Sequence, residues 1–135
     1  MIVLTVNTGS SSVRLSLQQW NSQAFLKSIA SVRYDHSDGE PKGLLQNFLH
    51  THGINKVDIV SHRVVHGGST LVSSRILDDE SVAEIRRLEV LAPLHNRHAV
   101  VWIQTSINVV GPAVPQVGVF DTAFYSGLPS VAYTY

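Results

Sequence analysis

Polar side chains of the kinds that bind phosphate and carboxylate groups occur in four short clusters along the chain. The first cluster, residues 7–12, reads NTGSSS and combines one glycine with three successive serines. Its hydroxyls and main-chain N–H groups could form a concave donor surface for phosphate oxygens. Gly9 is expected to provide backbone angles that a side chain would forbid. An ordinary hairpin turn has the same composition, so both interpretations stay open.

The second cluster places Arg63 near the end of an apolar, β-rich segment, residues 57–65. A buried guanidinium is costly unless an anion or a carboxylate meets it, and its donors match carboxylate or phosphate oxygens. A structural ion pair would meet the same need, and that alternative stays open. His62 and His66 are four residues apart. Residues at this spacing in a strand lie far from each other, so a zinc site is not favoured.

The last two clusters lie next to predicted secondary-structure elements. His95 lies at or next to a predicted helix N-terminus, where the helix dipole favours anions, although His95 or Asn96 could simply cap the helix. Asp121 directly follows a predicted strand and could accept a proton, orient an arginine or bind Mg²⁺ indirectly; a loop-capping aspartate is the alternative. All four clusters are predicted at one edge of one sheet, which indicates a shared ligand site.

The hydrophobic pattern predicts the elements that would hold these clusters. Three strands, at residues 2–6, 13–17 and 24–32, have connections too short for crossovers and therefore predict an antiparallel meander. A polar loop at 35–41 precedes the remaining elements, which are a helix around 44–49 capped by Gly53, a strand at 57–65, a helix from Asp78, a helix from His95 or Asn96 to Gly111, and a strand at 116–120. The order βββαβααβ predicts an α/β domain of the ribonuclease-H-like type, with a mixed five-stranded sheet flanked by helices.

Composition argues against several other classes of protein. The chain has 135 residues, a typical size for one domain, and its 10 basic residues balance its 10 acidic ones, so no nucleic-acid partner is expected. No apolar run approaches the ~18 residues of a membrane helix, so no membrane partner is expected either. The absence of cysteine fits a reducing, cytoplasmic setting. Residues 121–135 carry no helical pattern, which predicts that the chain is part of a larger molecule.

These segments resemble the acetokinase family of acetate and propionate kinases. VNTGSSSVRLSL resembles the family's opening phosphate loop, and SHRVVHGG, LAPLHN and VPQVGVFDTAF resemble three later blocks in the same order. The resemblance runs from residue 2 to about residue 135. It implies ATP-dependent phosphorylation of acetate to acetyl phosphate, with ATP/ADP as co-substrate and Mg²⁺ or Mn²⁺ as cofactor. It also implies a cytoplasmic homodimer.

For the phosphate side of the reaction, the resemblance implies roles for four residues of the first block. Asn7 would help place Mg²⁺ and the reacting groups, and Ser10 and Ser12 would line the phosphate loop. Arg14 stands where the family usually has a lysine near the nucleotide phosphates. The charge is kept at that position, but the reach and the donor geometry differ.

For the acceptor side, the resemblance implies roles for residues of the three later blocks. Arg63 would hold the carboxylate or the transferred phosphoryl group, His95 would donate to that group, and Asp121 would orient Arg63. Val65 and Leu94 would line the small pocket for the acetate methyl group. Arg97 stands where the family's LHN block usually continues with proline.

Residues 1–135 are expected to form the N-terminal ribonuclease-H-like domain of an acetate kinase. The family's later blocks, which belong to a C-terminal nucleotide-binding domain, are absent from this sequence. A truncated, non-catalytic domain with a binding or assembly role is one alternative, and a propionate kinase is another. A nuclease of the same fold would need an acidic residue on the first strand, and residues 2–6 contain none.

Overall fold

The computed structural model describes residues 1–21, 26–64, 75–79, 82–83 and 93–120. Within these residues three strands come first, and helices separate later strands. The elements are β1 (Ile2–Thr8), β2 (Ser12–Trp20), β3 (Leu26–Asp35), a 3-10 turn (His36–Asp38), α1 (Pro41–Thr51), β4 (Ile59–Val64), β5 (Arg75–Ile76), α2 (Pro93–Val110) and β6 (Gln116–Phe120).

The strands form one mixed sheet in the order β3-β2-β1-β4-β6-β5. β1, β2 and β3 pair antiparallel as the predicted meander, whereas β4 lies parallel to both β1 and β6. The parallel connections run through helices, so the predicted mixed α/β architecture is confirmed. β5 is an additional strand of two residues that pairs antiparallel with β6. It was not predicted, because two residues are too few to show a periodicity.

Both helices pack on one face of this sheet. Alternate residues of β1 and β2, such as Leu4 and Leu15, are fully buried there against Phe48 of α1 and Trp102 of α2. The residues between them in sequence, such as Thr5 and Ser16, are only partly buried and lie on the opposite face. This alternation places one row of side chains in the core and the next row outside it.

The C-terminal end of α1 is closed by a Schellman motif around Gly53. The N–H of Gly53 donates to the His50 carbonyl at 3.1 Å, and the N–H of Ile54 donates to the Leu49 carbonyl at 2.9 Å. Gly53 has φ 66°, in the left-handed region that disfavours side chains. The predicted glycine cap is therefore confirmed, and α1 ends where the chain turns toward β4.

We expect alanine substitutions at the two glycines of this region to change stability in opposite directions. Gly53→Ala should destabilise the fold by about 1 kcal/mol, because a Cβ is strained at positive φ. Gly43 lies inside α1, and an added Cβ would meet no atom within 4 Å. Gly43→Ala should therefore stabilise the fold by roughly 0.5–1 kcal/mol. Urea unfolding measures both changes, and equal shifts for the two variants would contradict this account of the cap.

Helix α2 begins at Pro93, two residues before the earlier of its two predicted starts, His95. Proline suits the first position of a helix, since its missing N–H would have no intrahelical acceptor there. Asp79 and residues 82–83 are helical, with the Val82 N–H donating to the Asp78 carbonyl at 3.0 Å. The rest of the helix predicted from Asp78 lies outside the described residues. No described helix combines the length and the hydrophobicity that crossing a membrane would require.

Candidate functional site

The serine-rich segment, residues 7–12, forms the turn of the hairpin between β1 and β2 and is here called the serine-rich turn. Thr8 pairs with Val13, and the Gly9 N–H donates to the Ser12 carbonyl at 2.7 Å, which leaves Ser10 and Ser11 at the tip. The predicted turn is therefore confirmed. The expectation about Gly9 was wrong, because its φ is not positive and an added Cβ would lie 3.6 Å from the Ser12 carbonyl, an ordinary contact. The backbone at this position would accept a side chain.

A row of four polar residues crosses the sheet beside this turn. Asn7 of β1 is in register with Arg14 of β2 on one side and with Arg63 of β4 on the other, and Arg14 is in turn opposite Arg33 of β3. Residues in register on neighbouring strands share a face of the sheet, with strands ~4.8 Å apart. Arg33, Arg14, Asn7 and Arg63 therefore form one line, here called the arginine row, on the face opposite the helices.

The arginine row concentrates positive charge next to the serine-rich turn. Its three guanidinium side chains are exposed within the described part of the chain. The Nε–H of Arg33 donates to Ser12 Oγ at 3.2 Å, which links the row directly to the turn. Arg63 is therefore not the buried guanidinium considered from the sequence. Because Arg63 is exposed, the cost of burying a guanidinium gives no reason to expect a ligand there. The remaining reason is the positive potential of the arginine row, which attracts anions.

The 3-10 turn after β3 holds the serine-rich turn from the other side. The Nε2–H of His36 donates to the Gly9 carbonyl at 2.9 Å, and the His36 backbone N–H donates to the Ser11 carbonyl at 3.0 Å. The His36 ring also stacks on the ring of His98 in α2, with centroids 3.6 Å apart and planes 8° from parallel. Two hydrogen bonds thus join the serine-rich turn to the segment that follows β3, and the ring stack joins that segment to α2.

Sequence reasoning missed His36, because residues 35–41 were interpreted only as a polar loop. A usable signal was present in the spacing of Asp35 and Asp38, which is typical of a capping box. In the structure the Asp35 N–H donates to Asp38 Oδ2 at 2.8 Å and fixes the 3-10 turn.

The structure describes the backbone of two of the four remaining predicted site residues. Leu94 and His95 lie in the first turn of α2, and their backbone places them at the same end of the domain as His98. Val65 and Asp121 lie outside the described residues. β4 and β6 end in register at Val64 and Phe120, one residue before these two positions.

His62 lies on the helix-covered face and is 1% exposed. Its Nε2–H donates to Gln116 Oε1 at 2.6 Å. Burial lowers the pKa of His62 from 6.5 to about 4, although the hydrogen bond to Gln116 opposes the shift. His62 is thus a neutral core residue, and His66, with which a zinc site was not favoured, lies outside the described residues. Among the described residues, no group of three or more His, Cys, Asp or Glu side chains could hold a metal ion.

The mixed sheet defines a ribonuclease-H-like domain, and the serine-rich turn and the arginine row lie together near the carboxyl end of β1. A family model described as "Acetokinase family" matches residues 42–135. The chain belongs to the acetokinase family.

Individual relatives support this assignment. The acetate kinase of Heliobacterium modesticaldum is 36% identical over 163 residues, an alignment that covers 100% of this chain and 41% of the relative. The crystal structure of Porphyromonas gingivalis acetate kinase superposes with a TM-score of 0.75 at 26% identity, covering 99% of this chain and 40% of that one. A propionate kinase from Francisella tularensis superposes with a TM-score of 0.71 at 30% identity, covering 99% and 41%. The chain thus spans about 40% of the length of these relatives.

Proposed function

We propose that this chain supplies the first half of the active site of a kinase that transfers the γ-phosphoryl group of ATP to acetate. The observation that carries the proposal is the register of Asn7 between Arg14 and Arg63 beside the serine-rich turn. It brings two guanidinium groups and the hydroxyls of the turn to one edge of the sheet. The acetate kinase and propionate kinase relatives support the choice of a carboxylate as the acceptor.

The chemistry of the reaction suits this equipment. Phosphoryl transfer depends on aligning the reactants and on neutralising charge on the equatorial phosphate oxygens. In the proposal Arg14, Ser10 and Ser12 hold the nucleotide phosphates, and Arg63 holds the carboxylate or the phosphoryl group in transit. Acetate is already ionised at neutral pH, so the site needs no strong general base.

The remaining roles come from the family resemblance and are part of the same proposal. His95 donates to the transferred phosphoryl group, Asp121 orients Arg63, and Val65 and Leu94 line the pocket for the acetate methyl group. Residues 1–135 would form the N-terminal domain of a cytoplasmic homodimer, with a nucleotide-binding domain supplied by sequence beyond this chain. The relatives, of which this chain covers 41% and 40%, support only the part of this proposal that concerns a longer protein.

Mg²⁺ is the metal that this proposal requires. The amide oxygen of Asn7 is a hard ligand of the kind that Mg²⁺ accepts. Arg14 and Arg63 make an ion held by this edge alone unfavourable, since they place a positive charge on each of the two strands that flank β1. Asn7 would therefore hold Mg²⁺ together with the ATP phosphates, and the ion would offset negative charge on the transferred group.

In the first experiment the gene is sequenced beyond the codon for Tyr135, and the complete open reading frame is expressed. We expect the complete protein to convert acetate and ATP to acetyl phosphate, captured as the hydroxamate, and the 135-residue chain alone to show no measurable turnover. Parallel assays with propionate measure selectivity, for which one methylene group is worth roughly 10–200-fold. Robust turnover by the 135-residue chain would contradict the proposal that it supplies only the first half of the active site. An inactive complete protein would favour the alternative of a non-catalytic domain.

A further inference from the structure

We infer that His36 is the positioning residue of the serine-rich turn, and that its stack on His98 ties this turn to the first turns of α2. This inference rests on the proposed function, in which the turn binds phosphate. A turn that binds an anion must direct N–H groups toward the ligand and carbonyl oxygens away from it. The contacts of His36 are of the type that would impose this direction.

His36 engages two carbonyl groups of the turn, those of Gly9 and Ser11, at 2.9 and 3.0 Å. Each carbonyl shares a planar trans peptide with the next N–H, which points in the opposite direction. Fixing the Gly9 and Ser11 carbonyls therefore fixes the directions of the Ser10 and Ser12 N–H groups. Without His36 the Gly9 carbonyl could rotate toward the ligand side and repel a phosphate oxygen.

The stack on His98 determines toward which face of the sheet the Gly9 carbonyl is directed. Because His98 belongs to α2, the His36 ring lies toward the helix layer, and the Gly9 carbonyl is directed toward that layer as well. The Ser10 N–H is consequently directed toward the opposite side, where the arginine row lies. His36 thus aims a backbone donor at the same side of the sheet as the guanidinium groups.

The same stack connects two parts of the proposed site that are far apart in the sequence. His98 follows His95 by one helical turn, so the two residues lie on neighbouring positions of one helix face. The spacing between the serine-rich turn and the first turn of α2 is therefore set by two stacked rings 3.6 Å apart. Replacing either ring should lower the phosphate affinity of the turn while the domain stays folded.

The experiment titrates the ¹⁵N-labelled 135-residue chain with inorganic triphosphate and follows the Ser10 and Ser12 amide signals. His36→Phe keeps a ring for the stack but removes the donor, and we expect at least a tenfold loss of affinity. His36→Gln keeps a donor at the position of Nε2 and should stay within threefold of wild type. His98→Ala keeps both hydrogen bonds and should lose affinity only several-fold. The control is His50→Phe, an exposed histidine near the C-terminal end of α1.

Unfolding temperatures of all variants separate a loss of fold from a loss of position. Triphosphate affinity within twofold of wild type in a folded His36→Phe variant would overturn the inference, and so would wild-type amides that do not respond to triphosphate. The ¹⁵N shifts of the wild-type His36 ring give an independent test without substitution, since the contact requires the proton on Nε2. A complete enzyme without acetate turnover, combined with the expected triphosphate results, would reject the proposed function and leave this inference intact.

Discussion

Replacing Arg63 by alanine in the complete enzyme is expected to lower kcat at least 10²-fold. Arg63 is in register with Asn7 and lies one strand away from the hairpin that carries the serine-rich turn. A guanidinium at that position would make charge-assisted hydrogen bonds to oxygens that gain charge in the transition state. A 10²-fold loss corresponds to about 2.7 kcal/mol of transition-state stabilisation. Steady-state kinetics with acetate and ATP, each varied at saturating levels of the other, measure it.

Two further variants show whether the effect belongs to the guanidinium group. Arg63→Lys keeps the charge but not the paired donors, and we expect an intermediate loss of about tenfold. Lys27→Ala removes an exposed charge from the far end of β3 and should leave kcat within twofold. If Arg63→Ala lowered only the unfolding temperature and left kcat unchanged, Arg63 would belong to a structural ion pair instead.

The elements of the sheet that could be predicted are those with a regular pattern of apolar residues. Val13, Leu15 and Leu17 in β2 alternate with polar residues, Leu4 and Val6 belong to the apolar run predicted as β1, and all five are buried on one face. Such alternation fixes both the strand and the face that meets the core. The turn between β1 and β2 followed from its composition, and the cap at Gly53 from the position of a glycine after a helical repeat.

The relation between the clusters could be predicted only in part. The sequence placed Asn7 and Arg63 at one edge of the sheet, and the register of β1 with β4 confirms that they are neighbours. It gave no sign that Arg33 and Arg14 continue the same line, because a register across three strands depends on turn lengths that composition does not define. The contacts of His36 were equally hidden, since they join the segment after β3 to a turn 27 residues earlier.

The predicted roles of single residues came from the resemblance and stand apart from these structural results. His95 illustrates the difference, because a position in the first turn of α2 is compatible both with binding a phosphoryl group and with a merely structural place in the helix. Only the chemistry of the complete enzyme separates the two. The arginine row adds a structural observation, since the register places three guanidinium groups on one face of the sheet, where their positive potential attracts anions.

The fold itself is expected to lose stability between pH 6.5 and pH 4, chiefly because of His62. Burial lowers the pKa of this histidine from 6.5 to about 4, so the unfolded chain takes up a proton at a higher pH than the folded one. The contribution of His62 to stability is therefore complete above pH 6.5 and declines as the pH falls toward 4. The expected loss is about 2 kcal/mol at pH 5 and about 3 kcal/mol at pH 4.

Urea unfolding of the 135-residue chain at pH 7.5 and at pH 5 measures this loss. His62→Gln keeps a donor for Gln116 Oε1 but cannot take up a proton, so its free energy of unfolding should fall by about 2 kcal/mol less than that of wild type over this interval. His50→Gln removes an exposed histidine from α1 and should retain the pH dependence of the wild-type chain. If His62→Gln lost as much stability as wild type between the two pH values, acid sensitivity would have to come from other groups. In that case the folded protein would take up a proton on His62 as readily as the unfolded chain does. A charged imidazolium buried with only the hydrogen bond from its Nε2–H to Gln116 is costly, so this outcome would contradict the account given for His62.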